Sequence, residues 1–127
     1  MFVIDDDRSV RRGLARLLVA AGFRVETYES GPAFLERSPP RGEHCLVVDV
    51  RMPGMSGLEL RDELRARGSD SPIIFITAHG TENIEYELEM ETVLMKPIEA
   101  DVLVRAIDSS ISGLAPRDAR KKRAVRR

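Results

Sequence analysis

Short apolar, β-prone runs alternate with stretches of helical period along most of the chain, and this alternation limits the fold more than any other feature. Phe2-Val3-Ile4 opens the series and ends in three acids. From residue 8 to 21 the period changes, with Val10, Leu14, Leu17, Leu18 and Ala21 on one helical face and Gly22 as the stop. Phe23 to Tyr28 alternates apolar with polar and reads as a strand. Ser30 caps a short helix that carries Phe34 and Leu35, and Pro39-Pro40-Arg41-Gly42 breaks it. Cys45-Leu46-Val47-Val48, ending at Asp49, is apolar without interruption, as suits a central parallel strand covered on both faces. Ser56 caps a helix over 57–67, ended by Gly68, and Ile73 to Thr77 is the most apolar strand. A helical stretch after Gly80 and Thr81 carries Ile84 and Leu88, Val93-Leu94-Met95 forms a short strand, and a last helix over 99–113 stops at Gly113. Five strands and five helices in strict alternation predict an α/β fold: a doubly wound, five-stranded parallel sheet with helices on both faces.

Composition narrows the function. The chain has 127 residues, 43% hydrophobic and 32% charged, enough for one packed domain. No apolar run reaches the roughly 20 residues that span a bilayer, so no membrane association is expected. The single Cys45 cannot pair internally, and with two histidines it cannot build a four-ligand zinc cage. With no leader-like opening, a cytoplasmic setting is the expectation. The net charge of −1 conceals an asymmetry: residues 116–127 carry +6 and the rest −7. The expected division is a folded domain over 1–115 followed by a basic, disordered tail over 116–127, which has no aromatic residue for stacking and no room for a helix-turn-helix, so direct DNA binding is not expected.

The polar residues that matter sit where strands end. Doubly wound sheets place their crevices at the carboxyl ends of strands. Strand 1 ends at Asp5-Asp6-Asp7, strand 3 at Asp49, strand 4 at Thr77 and strand 5 at Lys96. Crowded carboxylates repel, and a divalent cation relieves them; ligands that are all oxygen favour a hard ion, Mg2+ first. A carboxylate can also attack phosphorus to give an acyl phosphate, a step that needs the metal, a cation and a hydroxyl around the transferring group. Asp49, Mg2+, Lys96 and Thr77 fill those roles. Against this stand plainer readings: an acid after a strand often caps the next helix, Lys96 can be a surface lysine, and Thr77 a β-prone terminus.

At these residues the chain resembles the response-regulator receiver domain of two-component signalling. The resemblance is carried by Ile4-Asp5-Asp6-Asp7, by Leu46 to Gly57 with its Asp49-Val50-Arg51-Met52-Pro53-Gly54 core, by Pro72 to Ala78, and by Lys96-Pro97. It is nearest the branch that regulates nitrogen fixation and nodulation, and it covers residues 2 to about 113. It implies a flavodoxin-like, CheY-like sheet of order 2-1-3-4-5. Asp49 corresponds to the phosphate-accepting aspartate, Asp6 to a direct Mg2+ ligand, Asp5 to a ligand through water, and Arg51 to the residue whose backbone carbonyl completes the metal shell. Thr77 corresponds to the hydroxyl that moves onto the phosphoryl group and Lys96 to the lysine that pairs with it. The implied donor is a phosphohistidine on a sensor histidine kinase, and the output is a shift of surface recognised by a downstream target protein. The resemblance further implies a protein that assists its own phosphorylation and dephosphorylation without being an enzyme, with a homodimer left open; a stand-alone receiver is expected from length, since 127 residues leave no room for an output domain.

Departures from the family pattern are Val93 where an aromatic is usual, Ile98 where an aromatic often follows Lys-Pro, and a Gly80–Lys96 segment about three residues short that alternates Glu85, Glu87, Glu89 and Glu91. A shortened or remodelled fourth helix is expected there. His79 lies near the proposed site as a plain loop histidine, and His44 stands apart. Two rival readings remain: a haloacid-dehalogenase-type phosphatase using Asp5 within Asp5-Asp6-Asp7-Arg8-Ser9, and a non-phosphorylated pseudo-receiver that only binds partners.

Overall fold

The computed structural model describes residues 1–37, 45–78 and 91–114. In chain order these form β1 (Phe2–Ile4), α1 (Arg8–Ala20), β2 (Glu26–Tyr28), α2 (Gly31–Glu36), β3 (Leu46–Asp49), α3 (Gly57–Ala66), β4 (Ile73–Thr77), β5 (Thr92–Met95) and α4 (Ala100–Leu114). All pairings are parallel and the strand order is β2-β1-β3-β4-β5, as the resemblance implied.

Strand alternation divides the core into two layers. Phe2, Ile4, Leu46, Val48, Ile73 and Phe75 face one side, where Phe34 of α2 and Leu60 and Leu64 of α3 cover them. Val3, Val47, Ile74 and Ile76 face the other, beneath Leu14 and Leu18 of α1 and Leu103 and Ile107 of α4. β1, β3 and β4 are therefore buried throughout, which is why their sequences are uninterrupted apolar runs. Each buried Val, Leu, Ile or Phe contributes about 1.5–3 kcal/mol against exposure.

Local signals set the helix starts. The Asp7 side chain accepts from the Val10 N–H at 3.2 Å and Ser30 from the Ala33 N–H at 3.2 Å. Ser56 and Glu59 make a reciprocal capping box at the head of α3. Gly22, with φ of +97°, supplies the left-handed turn that ends α1.

Two expectations need correction. The alternating stretch from Phe23 is strand only over Glu26–Tyr28; Phe23 and Val25 still pack on the core, but β2 is an edge and pairs along three residues. Helix α4 does not stop at Gly113 but continues to Leu114, since a glycine near a helix end costs only about 1 kcal/mol against alanine. The helix expected after Thr81, with Ile84, Leu88, Glu85, Glu87 and Glu89, lies outside the described residues, as do His44, His79, the Pro39–Gly42 break and the basic segment 116–127. Cys45 is buried, consistent with a small core residue. Among the described residues no helix is long and apolar enough to cross a membrane.

Candidate functional site

Parallel register brings four strand ends together. Ile4 pairs with Val48, Asp49 with Ile76 and Thr77 with Met95, so β1, β3, β4 and β5 leave the sheet at nearly the same level. Asp5, Asp49, Thr77 and Lys96 follow from those exits.

Carboxylate oxygens of Asp5, Asp6 and Asp49 all lie within 4.8 Å of one another. Asp5 and Asp49 are buried and Asp6 is exposed, so the cluster is closed behind and open in front. Asp7 points elsewhere, into the cap of α1. The plain capping reading thus holds for Asp7 and not for Asp5. Lys96 Nζ stands 3.4 Å from Asp5 Oδ2 and 3.7 Å from Asp49 Oδ1. The Lys96 amide donates to the Thr77 carbonyl at 2.8 Å, and the Lys96–Pro97 bond is cis. Thr77 is buried at the last position of β4.

The Asp5 environment is fixed from both ends. Its Oδ1 accepts the Asp7 N–H at 2.8 Å, and its carbonyl accepts from Arg11 Nη1 at 2.7 Å. Its Oδ2 is buried and accepts no hydrogen bond. Lys96 reaches that oxygen as an opposite charge and not as a well-formed donor. An unsatisfied buried acceptor costs about 1–3 kcal/mol, and a carboxylate more. Such an atom, on a carboxyl group clustered with two others, fits a hard cation.

Burial and crowding have the same electrostatic sign. The Asp49 carboxyl is pushed up to about 6, first by burial and then by the Asp5 charge, against the pull of Lys96. Asp5 is also raised, chiefly by burial, with the Asp7 amide and Lys96 opposing. Three carboxylates beside one ammonium hold their charge at a cost that a divalent cation would offset.

Every predicted site side chain whose placement is described falls at this sheet edge, except that of Arg51. Arg51 follows β3 in the loop and its side chain is exposed; the expectation for this residue concerned its carbonyl alone. Two contributors were not foreseen. Arg11, one turn into α1, holds the Asp5 carbonyl; a basic residue six positions after a buried acid is the faint signal available. Gly57 lets α3 press on the Asp49 backbone, where a methyl group would come 2.5 Å from the Asp49 carbonyl oxygen.

Comparison with known proteins agrees with this geometry. A family model described as the response regulator receiver domain matches residues 1–108. The transcriptional regulatory protein FixJ of Azorhizobium caulinodans is 42% identical over 112 residues, which cover 86% of this chain and 53% of that protein. The crystal structure of full-length FixJ from B. japonicum superposes with a TM-score of 0.82 at 38% identity, covering 93% of this chain and 60% of that one. Response regulator TrrA from Thermotoga maritima, solved in complex with Mg2+-BeF, gives 0.73 at 27% identity over 85% of this chain and 95% of that one. The chain spans little more than half the length of the FixJ relative it matches. Its sheet order, its acidic edge and these likenesses together show that the chain belongs to the response-regulator receiver family, alongside the regulators of nitrogen fixation and nodulation.

Proposed function

We propose that this chain is a phosphoacceptor switch that takes a phosphoryl group onto Asp49 from a phosphohistidine of a sensor histidine kinase. The convergence of Asp5, Asp6 and Asp49 around Lys96 carries this reading. Asp6 and Asp49 would hold Mg2+ directly, Asp5 through water, and the Arg51 carbonyl would complete the shell. The bound ion would supply positive charge to the transferring phosphoryl oxygens. An Asp49 oxygen attacks phosphorus, the O–P bond forms as the N–P bond to the donor imidazole breaks, and the released imidazole takes a proton from solvent. Lys96 pairs with a phosphoryl oxygen and keeps Asp49 ionised for attack. Thr77, at the end of the adjoining strand, offers its hydroxyl to the new phosphoryl group.

A phosphoryl group adds nearly two negative charges and three acceptor oxygens. Differential contacts worth about 5.5 kcal/mol invert a two-state population from 1:99 to 99:1. The unit that switches is residues 1–115, with 116–127 a basic extension; the partners are the donor kinase and a downstream target protein, and the setting is cytoplasmic. Asp5 is a poor nucleophile for the phosphatase alternative, because it is fully buried and Oδ1 already accepts the Asp7 amide. Incubation with labelled acetyl phosphate and Mg2+ tests the proposal. Wild type is expected to take up label and Asp49→Asn to take up none. Label persisting in Asp49→Asn overturns the assignment, and no uptake by either protein favours a pseudo-receiver.

A further inference from the structure

Helix α3 does more than follow the β3 loop; its first residue is pressed onto the backbone that carries Asp49. A methyl group on Gly57 would lie 2.5 Å from the Asp49 carbonyl oxygen, 3.1 Å from Val50 Cα and 3.2 Å from the Asp49 carbonyl carbon. All three are main-chain atoms, so no side-chain rotation relieves the contact. The Gly57 N–H donates to the Val50 carbonyl at 2.9 Å, and the Ser56–Glu59 capping box fixes the helix start beside it. Gly31 is crowded differently: its neighbour is the Met55 thioether, the far end of a flexible side chain. Gly13, Gly22, Gly54 and Gly68 have open space at the Cβ position.

We propose that Gly57 is a positioning residue for the Asp49 site. Its missing side chain lets α3 seat against residues 49 and 50, and that seating sets where the Asp49 carboxylate meets Asp5, Asp6 and Lys96. The inference rests on the reading of Asp49 given above. Restoring ordinary contact around a side chain at 57 requires the strand end or the helix to move by about 1 Å, whereas a working site tolerates about 0.5 Å. Mg2+ demands near-ideal octahedral oxygen geometry, so its affinity reports such a movement.

The test compares Gly57→Ala with Leu64→Ala in the full chain, measuring Mg2+ affinity by calorimetry, label uptake from acetyl phosphate, and thermal melting. Leu64 is buried on the same helix, two turns from its start, and loosens α3 without touching Asp49. Gly57→Ala is expected to lose about tenfold or more in Mg2+ affinity, as supporting residues of metal sites do, while Leu64→Ala keeps the wild-type value despite a lower melting temperature. Equal Mg2+ affinity in Gly57→Ala and wild type, or equal losses in the two variants, overturns the inference. Should Gly57→Ala not fold, the wild-type Gly57 amide resonance is followed during Mg2+ titration. It is expected to shift with the same midpoint as the calorimetric binding, and an unmoved resonance overturns the inference. Wild type that binds no Mg2+ overturns the site reading itself, and the inference with it; wild type that binds Mg2+ beside an unaffected Gly57→Ala overturns the inference alone.

Discussion

Lys96 Nζ lies 3.7 Å from Asp49 Oδ1, and closer still to Asp5, so one ammonium is shared by two buried carboxylates without a tight bond to Asp49. One cation cannot neutralise both. Burial first, and then this surplus negative charge, push the Asp49 carboxyl up to about 6 although a lysine stands beside it. In the metal-free protein the site is therefore a local source of instability, of the kind that functional sites often carry.

The first prediction concerns pH. The Asp49 carboxyl is pushed up to about 6 in the folded chain from its ordinary value of 3.8, so the folded state binds the proton more tightly than the unfolded state. No penalty exists below pH 3.8. It grows as pH rises through the interval up to about 6 and is constant above. In EDTA, Asp49→Asn should be more stable than wild type at pH 7.5 by about 1–2 kcal/mol, a figure reduced from the full shift because the cluster opens to solvent on one side. The advantage should vanish by pH 4. Thermal melts of both proteins from pH 4 to 7.5 check this; a difference independent of pH would contradict it.

The second prediction separates the exposed acid from the buried ones. Asp6 is exposed, and the described structure gives it no part in the core. Asp6→Asn should leave the EDTA melting temperature within a degree or two of wild type. Mg2+ at a hundred times its Kd should stabilise wild type by roughly 2.7 kcal/mol. Asp6→Asn should lose most of that gain. An Mg2+-dependent rise of the same size in both proteins would remove Asp6 from the ligand set.

What the sequence reveals here depends on whether the signal is local. β1, β3 and β4 show as apolar runs because both faces are covered, and Asp5, Asp49, Thr77 and Lys96 stand out because each ends such a run. β2 was overextended because Phe23 and Val25 are apolar for packing on the core, and pairing along the edge stops short of them. Asp7 shares its residue type with Asp5 and Asp6, yet only the backbone turn decides which acid caps the helix and which faces the pocket. Gly57 and Arg11 were invisible as site residues for a different reason. Their roles rest on distances to main-chain atoms of Asp49 and Asp5, which no spacing rule encodes.

Gly13 offers a prediction of the opposite sign to Gly57. It lies within α1, is exposed, and would place a Cβ in open space. Gly13→Ala should stabilise the protein by about 0.5–1 kcal/mol by restricting the unfolded chain, with Mg2+ affinity unchanged. Chemical denaturation should move the midpoint upward at constant slope. A loss of stability would mean that α1 carries a contact at this position that the geometry does not show.

Removing the shared cation is the sharpest test of the electrostatic account. Lys96→Gln keeps most of the side-chain volume and leaves Asp5 Oδ2, already without a hydrogen bond, with no cation within 4 Å among the described residues. In EDTA at pH 7.5 the substitution should cost about 1–3 kcal/mol, and less as pH falls, because protonated Asp49 and Asp5 no longer need the ammonium. Saturating Mg2+ should shrink the cost, since the ion neutralises the same carboxylates that Lys96 serves. Stability and phosphoryl uptake then separate: with Mg2+ present, Lys96→Gln should melt close to wild type yet incorporate label from acetyl phosphate far more slowly, because the phosphoryl oxygen has lost its partner. Paired melts with EDTA and Mg2+, read beside the uptake rate, decide it. A cost that is the same with and without Mg2+ would show that Lys96 stabilises the fold by packing alone.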